Sequence, residues 1–133
     1  MQTNDRAVTV LTPSECLDLL SLASLGRISI SIDALPAIVP VQFMLLDGSV
    51  IFRPVGGGTT ASHGMVVAFQ ADQLLAPQPP WWSVTLQGVA HLVLNPDELI
   101  GAQPAPEGAW VGGSDAGHWA RIAPGTMSGR RFG

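Results

Sequence analysis

The sequence predicts a mainly β protein with α additions, folded as an antiparallel barrel in a single domain over residues 1–133. Six or seven segments of β type follow one another through short hairpin-like connections, with one helical pattern before them and a short one late in the chain. Apolar residues make up 47% of the chain and charged residues only 12%, which is enough material for one buried core.

The helical pattern follows a polar segment, residues 1–10, which we expect to be loose. Thr12 suits an N-cap, Pro13 suits the first helical position, and Glu15 is spaced to complete a capping box with Thr12. Apolar residues then recur at helical spacing, and Gly26 is placed to end the helix in a left-handed cap.

From residue 27 the apolar period changes from helical to alternating, which predicts a first strand over 27–32. The next strand, 37–46, contains Pro40, which indicates a sheet edge, a bulge or a point where the ladder opens. Asp47 and Gly48 then form a strong hairpin signal. The remaining predicted strands are 49–53, 65–71, 81–94, 119–123 and 127–132, with a short capped helix after Asn95.

The charge of the chain and its lack of targeting signals argue against nucleic-acid-binding and membrane-embedded classes of protein. The net charge is −4, and all six positive charges are arginines, so no basic run is available to hold a nucleic-acid backbone. No apolar stretch reaches the ~18 residues of a membrane span, and the N-terminus lacks the pattern of a signal peptide. With a single cysteine in addition, we expect a cytoplasmic protein with neither nucleic-acid nor membrane partners.

A candidate anion site lies at Arg53 and in the glycine-rich loop that follows it. A guanidinium grips phosphate through paired hydrogen bonds, and Gly58, Thr59 and Thr60 offer backbone amides and hydroxyls nearby. The alternative interpretation is a plain glycine-rich hairpin loop beside a surface arginine.

Gln42 stands between two apolar residues of a strand, so its side chain faces away from theirs. That position suits a hydrogen bond to the edge of a ligand ring, and it equally suits solvent. Trp81 and Trp82 are adjacent and therefore point to opposite sides of their strand. Packing explains both, although one of them is also suited to line a pocket or a dimer interface.

Other catalytic chemistries find little support in the sequence. His63, His91 and His118 lack metal-ligand spacing, so we predict no metal site. Cys16 lies on the apolar face of the helix, where inert packing is expected. No nucleophile elbow and no paired carboxylates indicate a particular catalytic residue, so catalytic residues are not predicted.

The order and spacing of several segments over residues 11–132 resemble the pyridoxamine-5′-phosphate-oxidase-like family. Each segment is short, and their combination is what makes the resemblance specific. The matching segments are Leu25-Gly26-Arg27-Ile28, Val39-Pro40-Val41-Gln42-Phe43, Ile51-Phe52-Arg53, Trp82-Ser83-Val84 and Gly129-Arg130-Arg131.

This resemblance implies a split antiparallel β-barrel of the FMN-binding type, present as a homodimer that holds FMN, or alternatively F420, in clefts shared by the subunits. The implied function is an oxidoreductase acting on a small organic substrate. The alternative is a non-catalytic protein on the same barrel that binds a flavin or an apolar ligand. Thr60 stands where the family usually has lysine or arginine, and Pro54 where it commonly has threonine, so a degenerate site is the third possibility.

The resemblance also assigns the cofactor-binding residues. Pro40, Val41, Gln42 and Phe43 would lie along the isoalloxazine ring, and Phe52, Arg53, Gly58, Thr59 and Thr60 would approach the phosphate. Trp82 and Ser83 would approach from the partner chain, and Arg130 of the tail would reach the anionic cofactor or substrate.

Overall fold

A computed structural model describes residues 7–23, 25–55, 62–102, 118–123 and 125–133. Gly58, Thr59 and Thr60, the predicted loop contacts of the phosphate, lie outside these ranges.

The described residues form eight strands, one α-helix and one 3₁₀ helix. Every strand and helix predicted from the sequence is present, with bounds shifted by a few residues. In chain order they are β1 (Val8–Val10), α1 (Pro13–Leu20), β2 (Leu25–Ile32), β3 (Leu35–Leu46), β4 (Ser49–Pro54), β5 (Val66–Gln73), β6 (Trp81–Leu92), the 3₁₀ helix (Pro96–Leu99), β7 (Ala120–Ile122) and β8 (Thr126–Phe132).

Six of the strands close into an antiparallel barrel. The order around it is β6, β5, β2, β3, β4 and β7, and β7 pairs again with β6. β8 and β1 extend the sheet from the first half of β6, because β8 pairs with Trp81–Gln87 and β7 with Ala90–Leu92. The prediction of a mainly β, split antiparallel barrel with α additions is confirmed.

The start of α1 follows the predicted capping box. The Thr12 hydroxyl accepts a hydrogen bond from Glu15 N at 3.2 Å, and a Glu15 carboxylate oxygen accepts one from Thr12 N at 2.9 Å. These bonds satisfy backbone donors that the first helical turn leaves unpaired. The bond from Thr12 N to the carboxylate also lowers the pKa of Glu15.

The predicted end of the helix is wrong. α1 ends at Leu20 with Ser21 as its C-cap, while Gly26 lies inside β2. A Cβ built on Gly26 would stand 2.5 Å from the Phe69 ring and 2.9 Å from a backbone oxygen of Gln70. Glycine is required there because β2 and β5 approach closely.

α1 packs on β8 through a second glycine. Cys16 and Leu20 are fully buried, and a Cβ on Gly129 would stand 2.7 Å from the Cys16 sulfur. Burial also raises the pKa of the Cys16 thiol, so the thiol stays protonated. The predicted packing role of Cys16 is confirmed.

The barrel core is built by strict alternation. Ile28 and Ile30 of β2 point inward, as the sequence predicts, and they belong to one core cluster with aromatic residues of other strands. Phe43 and Phe69 pack edge to face with ring centroids 4.9 Å apart. The side chains of Val41, Phe43, Phe52 and Trp82 all belong to this core.

Two further features bear on the sequence predictions. Residues 8–10 were expected to be loose, yet Val8–Val10 forms β1 because it pairs in register with Phe132–Arg130 of β8. Over the described part of the chain, no helix combines the length and apolar character that a membrane crossing requires.

Candidate functional site

The candidate site lies on the outer face of the barrel, where β3, β4 and β7 run side by side. Gln42 of β3 is the direct partner of Arg53 of β4. On the other side of β4, Phe52 pairs with Ala120, so Trp119, the residue before β7, comes to lie beside Arg53. Gln42, Arg53 and Trp119 therefore form one row across three strands.

Arg53 is held from two directions within this row. Its Nε donates a hydrogen bond to Gln42 Oε1 at 3.2 Å, and its Cζ stands 4.4 Å from the centroid of the Trp119 ring. Partial burial lowers the pKa of Arg53, but a guanidinium remains charged at neutral pH because its ordinary pKa is far higher. The row presents a half-buried, oriented positive charge.

The contact with Arg53 also fixes the orientation of the Gln42 amide. Arg53 Nε carries a hydrogen and must meet an oxygen, so Oε1 points toward Arg53 and Nε2 points away from it. Gln42 is only 5% exposed, and within the described residues its Nε2 donates no hydrogen bond. A buried unpaired N–H is costly, so this donor suits a ligand that brings an acceptor.

A shallow groove lies on the same outer face, and Pro40 stands between it and the row formed by Gln42, Arg53 and Trp119. Pro40 pairs with Arg27 of β2, and its carbonyl accepts a hydrogen bond from Val55 N at 3.0 Å. This bond continues the register in which Val41 faces Pro54. Pro40 therefore stands at the end of the stretch of β3 that β4 covers, and the residues of β3 before it pair with β2. The groove measures about 250 Å³, and its lining includes the side chains of Arg27, Ser29, Ile38, Ala68, Gln70 and Thr85.

Polar side chains tie the rim of the groove together. Arg27 Nη1 donates to Asp72 Oδ2 at 3.1 Å and lies 3.4 Å from Gln70 Oε1. Gln70 Nε2 in turn donates to the Ser83 hydroxyl at 3.1 Å. The charges of Arg27 and Asp72 offset one another, so this part of the face carries no net charge.

Four of the predicted cofactor-binding residues have side chains inside the barrel. Val41, Phe43 and Phe52 are at most 2% exposed, so their side chains do not reach a ligand on the outer face. Trp82 is fully buried in its own subunit, and its Nε1 donates to Gln73 Oε1 at 3.1 Å. That Trp82 approaches the cofactor from the partner chain stays a prediction, and with this packing such a contact would use its backbone rather than its indole.

Two predicted residues lie apart from Arg53 within one chain. Ser83, in the first half of β6, pairs with Arg130 of β8. The row that contains Arg53 reaches β6 only through β7, which pairs with the last residues of β6.

Trp81 rather than Trp82 faces outward in this region, and its Nε1 donates to Ala76 O at 2.7 Å. The sequence prediction that the two tryptophans point to opposite sides is confirmed.

The fold brings together two histidines that the sequence keeps apart. The rings of His63 and His91 lie 5.7 Å apart between centroids, and His63 Nδ1 accepts a hydrogen bond from Leu92 N at 3.0 Å. Among the described residues, no group of three or more histidine, cysteine, aspartate or glutamate side chains is placed to hold a metal ion.

Sequence reasoning missed Trp119 as a member of the site. Its contact with Arg53 depends on the pairing of β4 with β7, two strands that are distant in the chain. The alternation of residues 119–123 was visible in the sequence, but the partner of that strand was not.

Comparison with known proteins agrees with this architecture. Residues 12–131 match the family described as Pyridoxamine 5'-phosphate oxidase. An uncharacterized protein of Mycobacterium tuberculosis is 36% identical over 101 residues, covering 71% of this chain and 66% of that protein, slightly under two thirds of its length.

Solved structures show the same fold. A FAD binding protein of Mycobacterium smegmatis superposes with a TM-score of 0.70 at 32% identity, covering 96% of this chain and all of the other. A FAD-binding protein of Mesorhizobium loti reaches a TM-score of 0.70 at 20% identity, covering 96% and 98% of the two chains, and supports the fold alone.

The closed six-stranded barrel, its extension through β8 and the match along nearly the whole chain define a split barrel of the pyridoxamine 5'-phosphate oxidase type. This chain belongs to the pyridoxamine 5'-phosphate oxidase family.

Proposed function

We propose that this protein binds a flavin nucleotide on the outer face of β3 and β4, with the phosphate at Arg53. The observation that carries the proposal is the oriented, half-buried guanidinium of Arg53, held by Gln42 and faced by Trp119. The Nε2 of Gln42, which donates no hydrogen bond within the described residues, adds a donor next to it. The guanidinium suits an anionic group of the ligand, and the Gln42 amide suits a hydrogen-bond acceptor on the same molecule.

The groove beside Pro40 supports a place for the flavin ring. It combines an apolar floor at Ala68 and Ile38 with polar groups at its rim. Its volume of about 250 Å³ falls below the roughly 300–1,000 Å³ of ordinary ligand pockets. A cleft completed by a second subunit accounts for that shortfall.

The phosphate contact alone does not distinguish FMN, FAD and F420, since each carries a phosphate beyond its ribityl chain. We favour FAD, because the M. smegmatis relative, 32% identical over nearly the whole chain, is a FAD binding protein. FMN, which the family resemblance implied, and F420 are the alternatives. The mass and absorbance of the ligand that co-purifies with the protein would distinguish the three.

A bound flavin supplies hydride transfer, and the chain's own part is to bind and orient it. We propose an oxidoreductase acting on a small organic substrate. A binding protein that only sequesters the flavin is the second candidate, favoured by the lack of an assigned acid or base among the described residues around Arg53. Turnover with a reduced nicotinamide or reduced F420 as electron donor separates the two.

The assignment of Arg53 is tested by replacing it with alanine. Because a hydrogen bond to a charged group contributes about 1.5–3 kcal/mol, Arg53→Ala should weaken FMN binding roughly 10- to 150-fold and leave riboflavin, which has no phosphate, nearly unchanged. Arg131→Ala, on β8, is the matched control and should alter neither affinity. Equal losses for FMN and riboflavin in Arg53→Ala would contradict the assignment.

We also propose that a second copy of the chain covers the outer face of β2, β3 and β5. Ile38 and Val66 are 71% and 72% exposed there, and Val89 of β6 adjoins Val66. Because Arg27 and Asp72 neutralise each other, two identical faces meet without net repulsion. The homodimer suggested by the family resemblance would then use this face, which also carries the groove.

A further inference from the structure

Trp119 is fixed by its backbone before any side-chain contact is considered. Its carbonyl accepts a hydrogen bond from Val93 N at 2.9 Å, and the next residue, Ala120, pairs with Phe52. The backbone that carries the indole is thus tied to the end of β6 on one side and to β4 on the other. Its position depends on the barrel rather than on a ligand.

Arg53, by contrast, has a long and flexible side chain. An arginine that is free to rotate loses conformational entropy when a ligand immobilises it, and this loss weakens binding. Here the guanidinium carbon lies over the Trp119 ring, and the Nε of Arg53 donates a hydrogen bond to Gln42. The ring also attracts the cation and thereby offsets part of its desolvation.

We propose that Trp119 is a positioning residue that orients the Arg53 guanidinium for an anionic ligand. The inference rests on the proposed function, in which Arg53 contacts the flavin phosphate. Trp119 itself acts through Arg53 and contributes to the recognition of phosphate, but not of the flavin ring. Its effect is therefore confined to ligands that carry a phosphate.

The test compares FMN and riboflavin binding by flavin fluorescence in the full-length protein. Trp119→Leu should weaken FMN binding about three- to tenfold and leave riboflavin unchanged. Trp119→Phe keeps an aromatic face and should retain most of the FMN affinity. Trp81→Leu, which changes another half-buried outward tryptophan, is the matched control and should leave the ratio of the two affinities unchanged.

A double-mutant cycle separates this inference from the proposed function. In the Arg53→Ala background, Trp119→Leu should have no further effect on FMN, because the group that it positions is gone. If Arg53→Ala lowers FMN affinity selectively but Trp119→Leu does not, the positioning role is refuted and the phosphate site stands. If Trp119→Leu weakens FMN and riboflavin equally, the positioning role is also refuted. If Arg53→Ala is itself unselective, the proposed function fails.

Discussion

Gln42 and Arg53 face each other across β3 and β4, so a change of charge at one alters the electrostatics of the other. In a half-buried position this coupling is stronger than at an open surface, because water screens the charges less. The glutamine is neutral and offers Arg53 an acceptor without cancelling its charge. The Gln42 side chain therefore adds no negative charge that would oppose an anion at Arg53.

Replacing Gln42 with glutamate should remove that advantage. Gln42→Glu places a carboxylate against Arg53, where it pairs with the guanidinium and repels the ligand phosphate, and FMN affinity should fall tenfold or more. Riboflavin affinity should change far less. Fluorescence titration of both ligands checks the prediction, with Gln78→Glu, at an exposed position between β5 and β6, as a control for the added charge. An unchanged ratio of FMN to riboflavin affinity would contradict the placement of the ligand phosphate beside Gln42 and Arg53.

At the scale of the elements, the contact between α1 and β8 depends on the missing side chain of Gly129. The space that a Cβ would need is occupied by the Cys16 sulfur at 2.7 Å and by methyl groups of Leu11 and Val84 at 3.1 Å. The segment that leads into α1 is also bonded to β8 at this point, because Leu11 N donates a hydrogen bond to Gly129 O at 2.9 Å. Close packing at Gly129 therefore fixes the helix against the strand.

Gly129→Ala should therefore destabilise the protein by about 1–3 kcal/mol, the range for overpacking a closed core. Cys16→Ala removes the nearest obstacle, so the double variant should recover part of the loss. Denaturant unfolding of the wild type, both single variants and the double variant measures the coupling. Strictly additive effects would show that the sulfur is not what excludes the methyl group.

Alternation and turn chemistry were sufficient to predict the strands, because inward and outward residues differ clearly in polarity. Gly26 was misassigned because a glycine after a helix suits both a cap and a close strand contact. β1 was missed because its backbone bonds come from β8, at the other end of the chain. Partner-dependent features of this kind have no local signal.

The same limit applies to the site. Residue type identified Arg53 and Gln42, but it did not show that they bond to each other. The sequence placed Trp81 and Trp82 on opposite faces without indicating which face is the core. Trp119 required the register between β4 and β7, which only the folded chain supplies.

At the scale of the whole molecule, the proposed dimer face makes a prediction about assembly. An obligate interface buries upwards of ~2,000 Å², and a charge at its centre is strongly unfavourable. Ile38→Asp should therefore shift the protein from dimer to monomer at micromolar concentration in sedimentation velocity. Leu75→Asp changes a residue that is 99% exposed outside the strands and should leave the dimer intact.

A wild-type protein that sediments as a monomer would contradict the dimer itself. A dimer that persists in Ile38→Asp would show that the interface is formed by another face of the protein. Flavin affinity measured on the same samples shows whether the groove needs the second subunit.

β6 is shared between the closed barrel and the extension formed by β8 and β1. Along one edge it pairs with β5 for most of its length, and along the other it pairs first with β8 and then with β7. Its backbone amides point alternately to the two sides, so exchange along the whole of β6 requires the ladders on both sides to open. Amide protection in a cooperative unit follows the free energy of the opening that exposes it, so β6 should hold its protons as long as any strand in the chain. The edge strand β1, which pairs with β8 alone, should release its protons early and independently.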